Sequence, residues 1–328
     1  MLTVLATSPR VAPGLLSWPA WRALRSAAAV LVPAGHPQLP ALDEAGIAYR
    51  MVPEPDVASD VASWAADGDV VWLPEPGDDP RVPPGARLLR GSVDLPGAHL
   101  IDLVATMDRL RVHCPWDARQ THESLAPHLL EEPYEALEAL ESGDERAFCE
   151  ELGDVLLQVV FHARIAAERD DGTGYAIDDV ADGIVAKLMR RHPHVFADVT
   201  VSGAEEVTRN WDDIKREEKR ALAAQRGQPA ARHAAPSVFD GVPFGQPALS
   251  LAAQLQRRAA RAGVPDDLMR WDGGAHAGAG EQIGRELFLL VARAREAERD
   301  PEMELRAAAR RYREHVHAWE QVSHGRGE

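Results

Sequence analysis

Two cysteines in 328 residues, Cys114 and Cys149, leave nothing to build a disulfide framework from and fit a reducing cytoplasm. No apolar run approaches the length of a membrane span, and the N-terminus lacks the basic and apolar regions of a signal peptide. A cytoplasmic chain with no membrane partner is therefore expected. Positive charge is also in deficit. With 36 Lys and Arg against 52 Asp and Glu, the net charge of −16 argues against a general nucleic-acid or anionic-membrane surface. The first 75 residues hold no Gly-rich phosphate loop and no nucleophile motif. The Glu-x-x-His spacing that a di-iron carboxylate bundle takes from two helices occurs only at Glu314–His317, which excludes that site.

What remains is 45% apolar with a mean hydropathy of −0.28, a globular chain long enough for two or three domains. Residues 1–95 read as a small α/β domain. Short β-like runs occur at Leu2–Ala6, Ala29–Pro33, Ile47–Val52 and Val70–Leu73, and residues 74–99, dense in Pro and Gly, form a connector. Residues 96–222 are helical, with stretches at Leu100–Leu110, Thr121–Leu140, Glu145–Arg169, Asp178–Arg191 and Glu205–Ala221. Pro127 and Pro133 fall inside the second stretch, so that helix is expected to kink or to start late. Residues 223–236 read as a flexible linker and 237–328 as helical again. The fold class expected is mainly α, preceded by a small α/β domain.

The last segment repeats the middle one. A shift of 131 residues lays Glu281-Gln282-Ile-Gly-Arg285 on Glu150-Glu151-Leu-Gly-Asp154, with the apolar run and Arg295 in register. Packing residues persist there while the acids do not, so the second copy is degenerate and structural.

In the first copy, Glu132 and Glu135 are three apart, as are Glu151 and Asp154, which puts each pair on one helical face. Around Asp154 the helix is apolar, and Leu157 and Phe161 lie on its side. Charges among buried residues need a partner, and converging carboxylates suit a hard divalent ion such as Mg2+, with Mn2+ as a substitute. Glu131, Glu135 and Glu138 also fit a solvated stripe. Lys187, Arg190 and Arg191 share one side of a helix and can grip phosphates, or simply answer the dipole of its C-terminus. Trp211 and Lys215, four apart, offer an aromatic face and a cation, or a packing residue beside a solvated one. Cys114-Pro115-Trp116-Asp117 lacks the second cysteine of a zinc site and reads as a rigid turn covering the site.

Taken together, residues 114–215 resemble the MazG family of nucleoside triphosphate pyrophosphohydrolases. The resemblance rests on Cys-Pro-Trp-Asp-x3-Thr-His-x-Ser-Leu from Cys114, Leu-Leu-Glu-Glu-x-Tyr-Glu from Leu129 and Glu-Leu-Gly-Asp-x-Leu-Leu-Gln-Val-Val-Phe-His-Ala-Arg from Glu151. Lys-Leu-x-Arg-Arg-His-Pro-His-Val-Phe from Lys187 and Asn-Trp-x3-Lys from Asn210 follow in order. It implies an all-α helical bundle, here in tandem copies, a homodimer, and metal ligands at Glu132, Glu135, Glu151 and Asp154. Phosphate contacts then fall on Lys187, Arg190 and Arg191, and the Trp-x3-Lys element on Trp211 and Lys215. The expected reaction is Mg2+-dependent hydrolysis of nucleoside triphosphates to monophosphate and pyrophosphate, with broad base specificity suited to cleansing the nucleotide pool. Glu131 or a ligand carboxylate would take the proton. A narrower substrate, dUTP or a phosphoribosyl nucleotide, and a non-catalytic nucleotide-sensing or partner-binding scaffold are the alternatives. Some relatives carry a methylase-like domain ahead of this block, and residues 1–95 look too short for that activity.

Overall fold

The computed structural model describes residues 1–52, 68–204, 206–207, 210–211, 213–215, 217–218, 237–265, 268 and 279–324. The linker expected at 223–236 lies outside them, as do residues 271–278. The chain divides into two compact units, Met1–Thr208 and Arg209–Glu328.

The first unit opens with an all-parallel sheet. Strands β1 (Leu2–Ala6), β2 (Ala29–Val32), β3 (Arg50–Met51), β4 (Val70–Trp72) and β5 (Arg87–Arg90) lie in the order β3-β2-β4-β1-β5. Helices α1 (Trp18–Ser26) and α2 (Leu39–Glu44) fall between the strands. Alternation along β1 sends Leu5 into a core with Leu24, Val30, Leu42 and Leu73, and sends Leu2 and Val4 into a second core with Leu31, Val70 and Trp72. A parallel strand covered on both faces reads as a continuous apolar run, which is why β1, β2 and β4 were legible. Strand β5 falls inside the expected connector. Its Arg-Leu-Leu-Arg sequence pairs with β1 on one side only and is largely exposed. An edge of four residues with a charge at each end carries too little apolar signal to stand out from flanking Gly and Pro.

Helices α3 (His99–His113), α4 (His122–Ser142), α5 (Glu145–Ala166), α6 (Ile177–Arg191) and the short α7 (Pro193–Phe196) complete the unit. Thr121 caps α4 in a reciprocal capping box with Ser124, so the helix starts on time despite its prolines, and both Pro127 and Pro133 lie within it. Gly143 at φ 76° closes α4, and Asp144 immediately caps α5 by accepting from the amides of Arg146 and Ala147. That turn folds α4 and α5 into a tight hairpin. Met107, Leu125, Val160 and Phe161 form the buried centre beneath it, flanked by Leu103, Leu157, Ile165 and Ile177.

The second unit holds α8 (Ala248–Arg261), α9 (Ala279–Glu296) and α10 (Pro301–His324). Gln256 Nε2 donates to the Phe288 carbonyl at 2.8 Å, and Arg295 Nη1 donates to the Gln256 carbonyl at 2.9 Å. Helix α9 carries the repeat, with Gln282 and Arg285 where α5 carries Glu151 and Asp154. The chain is mainly α, with one small parallel sheet near its N-terminus. No helix among the described residues is long and apolar enough to cross a membrane.

Candidate metal centre and active site

The α4–α5 hairpin brings Glu132 from one helix against Glu151 and Asp154 from the other. Each offers an oxygen, and these oxygens all lie within 4.8 Å of one another. Such a cluster is costly. Burial and repulsion from Asp154, Glu135, Glu131 and Glu151 push the Glu132 carboxyl above its ordinary range. Glu151 is raised as well, by desolvation first and then by Glu135, Asp154 and Glu150. An oxygen-only donor set with its charges in mutual repulsion fits a hard divalent cation, which removes the repulsion.

Glu135 acts on both glutamates through its charge but lies outside the close trio. Three residues along α4 turn it about 60° away from Glu132 and lift it about 4.5 Å along the axis. Glu131 is exposed and stands 3.7 Å from His128 Nδ1. The expectation that Asp154 sits among buried side chains holds on one side only. Phe161 is buried and Leu157 half-buried, whereas Leu152, Leu156, Val159 and Asp154 itself are exposed. Helix periodicity reports which residues share a face, not whether a neighbour covers that face.

Lys187 and Arg190 are exposed and Arg191 half-buried in the last turns of α6. In the second unit, Lys215 Nζ lies 5.5 Å from the centroid of the Trp211 ring. Trp116 sets its edge against Phe161 at 6.5 Å and heads a 3-10 turn over Asp117–Arg119. Arg111 fastens that turn: it donates to the carbonyls of Asp117 and Gln120 and, bidentately at 2.8 Å, to Glu168 in the turn that follows α5.

Sequence reasoning assigned no role to two features. The first continues the Asp154 face of α5. Gln158 is 5% exposed, and His162 stacks on His122 with Nδ1 to Nδ1 at 2.8 Å. A polar residue at each of two successive turns of an apolar run was the available signal. The second is Arg10, whose side chain is 5% exposed and whose guanidinium binds Asp78 at 2.5 and 2.8 Å, Asp102 at 2.7 Å and Asp94 at 2.5 Å. Asp78, Asp94 and His99 also group closely enough for a metal, but Arg10 already answers those carboxylates: it holds Asp78 below its ordinary range, and the Ser8 hydroxyl together with Arg10 does so for Asp94. Separations of 68 to 92 positions gave no local pattern to read.

Comparison with known proteins matches the span of these helices to a known family. The profile of the MazG nucleotide pyrophosphohydrolase domain matches residues 120–196, the span that supplies α4, α5 and α6. An uncharacterised 26.1 kDa protein of Streptomyces cacaoi is 46% identical over 240 residues, covering 72% of this chain and 89% of that one. A Thermotoga maritima protein named nucleoside triphosphate pyrophosphohydrolase/pyrophosphatase MazG is 36% identical over 236 residues, 67% of this chain and 85% of its own. The nucleoside triphosphate pyrophosphohydrolase of Mycolicibacterium smegmatis is 43% identical over 189 residues, 58% of this chain and 54% of its own. The chain thus spans about half the length of that mycobacterial relative.

Proposed function

Because the chain belongs to the MazG family of nucleotide pyrophosphohydrolases, we propose that its first helical block hydrolyses nucleoside triphosphates to the monophosphate and pyrophosphate. The observation that carries this is the trio Glu132, Glu151 and Asp154, in which burial first and then neighbouring carboxylates drive the Glu132 and Glu151 carboxyls above their ordinary range. These residues, with Glu135 contributing its charge, would hold Mg2+ or, in substitution, Mn2+. When bound, that ion supplies Lewis acidity toward phosphoryl oxygens and neutralises the charge of the triphosphate. Glu131 takes the proton of the attacking water at its carboxylate, or passes that role to a carboxylate of the trio. Lys187, Arg190 and Arg191 offset charge on the departing pyrophosphate. Trp211 and Lys215 offer an aromatic face and a cation to the nucleotide.

Recognition concentrated on phosphates leaves the base weakly read, which suits a broad role in cleansing the nucleotide pool. We assign the chemistry to residues 96–222, no chemistry to 1–95, and a packing role to 237–328, with 223–236 as the link between them. Free Cys114 and Cys149 suit work in a reducing cytoplasm. The test is product analysis: nucleoside triphosphates incubated with Mg2+ should release pyrophosphate, and release of orthophosphate would sink the mechanism. Asp154→Asn should lower turnover by more than about a hundredfold, beyond the loss expected from an outer-shell partner. Its circular dichroism should stay that of the wild type.

A further inference from the structure

The polar face of α5 does not end at Asp154. At 100° per residue, Gln158 stands about 20° from Glu151 and about 40° from Asp154, on the row that faces the carboxylate trio. Its side chain is 95% buried, with 5% exposed, and its Oε1 meets no hydrogen-bond partner among the described residues. A buried acceptor left unpaired costs stability, so its retention calls for a partner that arrives in the working state. An amide oxygen only accepts, and that partner must therefore bring an O–H or N–H. The terminal torsion of Gln is soft, which lets the amide turn toward it.

The helix rise puts Gln158 about 6 Å along the axis from Asp154. In a nucleoside triphosphate seated with its phosphates at the trio, the ionised phosphates offer no donor. The first donors beyond them are sugar hydroxyls, while base amino groups lie farther out. Of the sugar hydroxyls, only the 3′ group is common to ribo- and deoxyribonucleotides. His162 is held at Nδ1 by His122 and its Nε2 is also unpaired among the described residues, but it stands about 12 Å along the axis from Asp154, beyond the sugar.

On the pyrophosphohydrolase reading above, we propose that Gln158 Oε1 accepts a hydrogen bond from the 3′-hydroxyl of the substrate. Gln158 is then a specificity residue that reads the sugar and leaves the base free to vary. Steady-state kinetics with dATP and 2′,3′-dideoxyATP under Mg2+ test it. Wild-type protein should show a KM about tenfold higher for the dideoxy substrate, the worth of one hydrogen bond, with kcat little changed. Gln158→Met, which keeps the bulk and loses the acceptor, should raise the KM for dATP to the dideoxy level and leave the dideoxy KM where it was. Equal KM values in the wild type overturn the inference without any variant, and so does a Gln158→Met protein that loses both substrates equally. Absence of pyrophosphate release from every nucleotide overturns the parent reading and this one with it, whereas turnover blind to the sugar overturns this one alone.

Discussion

Glu132 and Glu151 hold their protons more tightly in the folded chain than an unfolded chain would, because burial and neighbouring carboxylates disfavour their ionised forms. The sign follows from linkage. A carboxyl raised on folding imposes no penalty while protonated, and the penalty grows as pH climbs from the ordinary carboxylate range through the raised value. Metal-free protein should therefore lose stability over that window. A cation needs the ionised trio, so it should restore that stability more fully at higher pH. The expected outcome is a larger Mg2+-induced rise in melting temperature at pH 7.5 than at pH 5. Equal shifts at both would separate the trio from the metal. Two glycines on the hairpin make a further contrast at this scale. A methyl group at either meets nothing within 4 Å, so only backbone preference decides. Gly143→Ala, at φ 76°, should cost about 1–2 kcal/mol. Gly153→Ala, inside α5, should gain about 0.5–1 kcal/mol. Paired thermal melts of the two variants check both signs.

At the scale of elements, the α4–α5 hairpin depends on the core beneath it. Phe161 is 3% exposed, touches the edge of Trp116 and packs with Met107, Leu125 and Val160. Phe161→Ala should cost about 3–5 kcal/mol, measured by denaturant unfolding, and should lower activity through loss of the hairpin. Much of this layer was legible beforehand. The stretches expected from Thr121 and from Glu145 begin where the structure begins α4 and α5, whereas α4 runs two residues past Leu140 and α5 stops at Ala166, short of Arg169. The i, i+3 spacing made Glu151 and Asp154 readable as one face, but it also paired Glu132 with Glu135, which the structure leaves outside the close trio. What escaped was whatever depends on distance in sequence or on a missing apolar signal. Strand β5 has charged ends and one neighbour. Arg10 finds its acids far along the chain. The exposure of Leu152 and Leu156 beside Asp154 depends on which flank of the helix a neighbour covers, which periodicity alone does not report.

At the scale of the whole molecule, α6 presents an apolar stripe that its own chain leaves exposed. Val180, Ile184 and Leu188, and beside them Val185 and Met189, are each between 36% and 51% exposed, and no residue of α6 is buried. Continuous apolar stripes of this kind mark association surfaces. We propose that this face pairs two copies of the chain, the dimer that the family resemblance implies. Sedimentation should give twice the 35.8 kDa of one chain. Ile184→Glu with Leu188→Glu should return the mass to that of a monomer, and an unchanged dimer would remove α6 from the interface.

Arg10 joins the sheet to the helices within the first unit: Asp78 follows β4, Asp94 precedes α3, and Asp102 stands in its first turn. Regarded as a mechanical joint, this is one whose stiffness is set by the solvent. The guanidinium is nearly covered, but Asp78 and Asp102 are 59% and 46% exposed, so dissolved ions reach the acid side of the joint. At about 1 M salt, where charges are screened within about 3 Å, the Coulombic part of its hold fades. The apolar cores on either side are untouched by that change. Ionic strength thus loosens the connection between the sheet and α3 within the first unit.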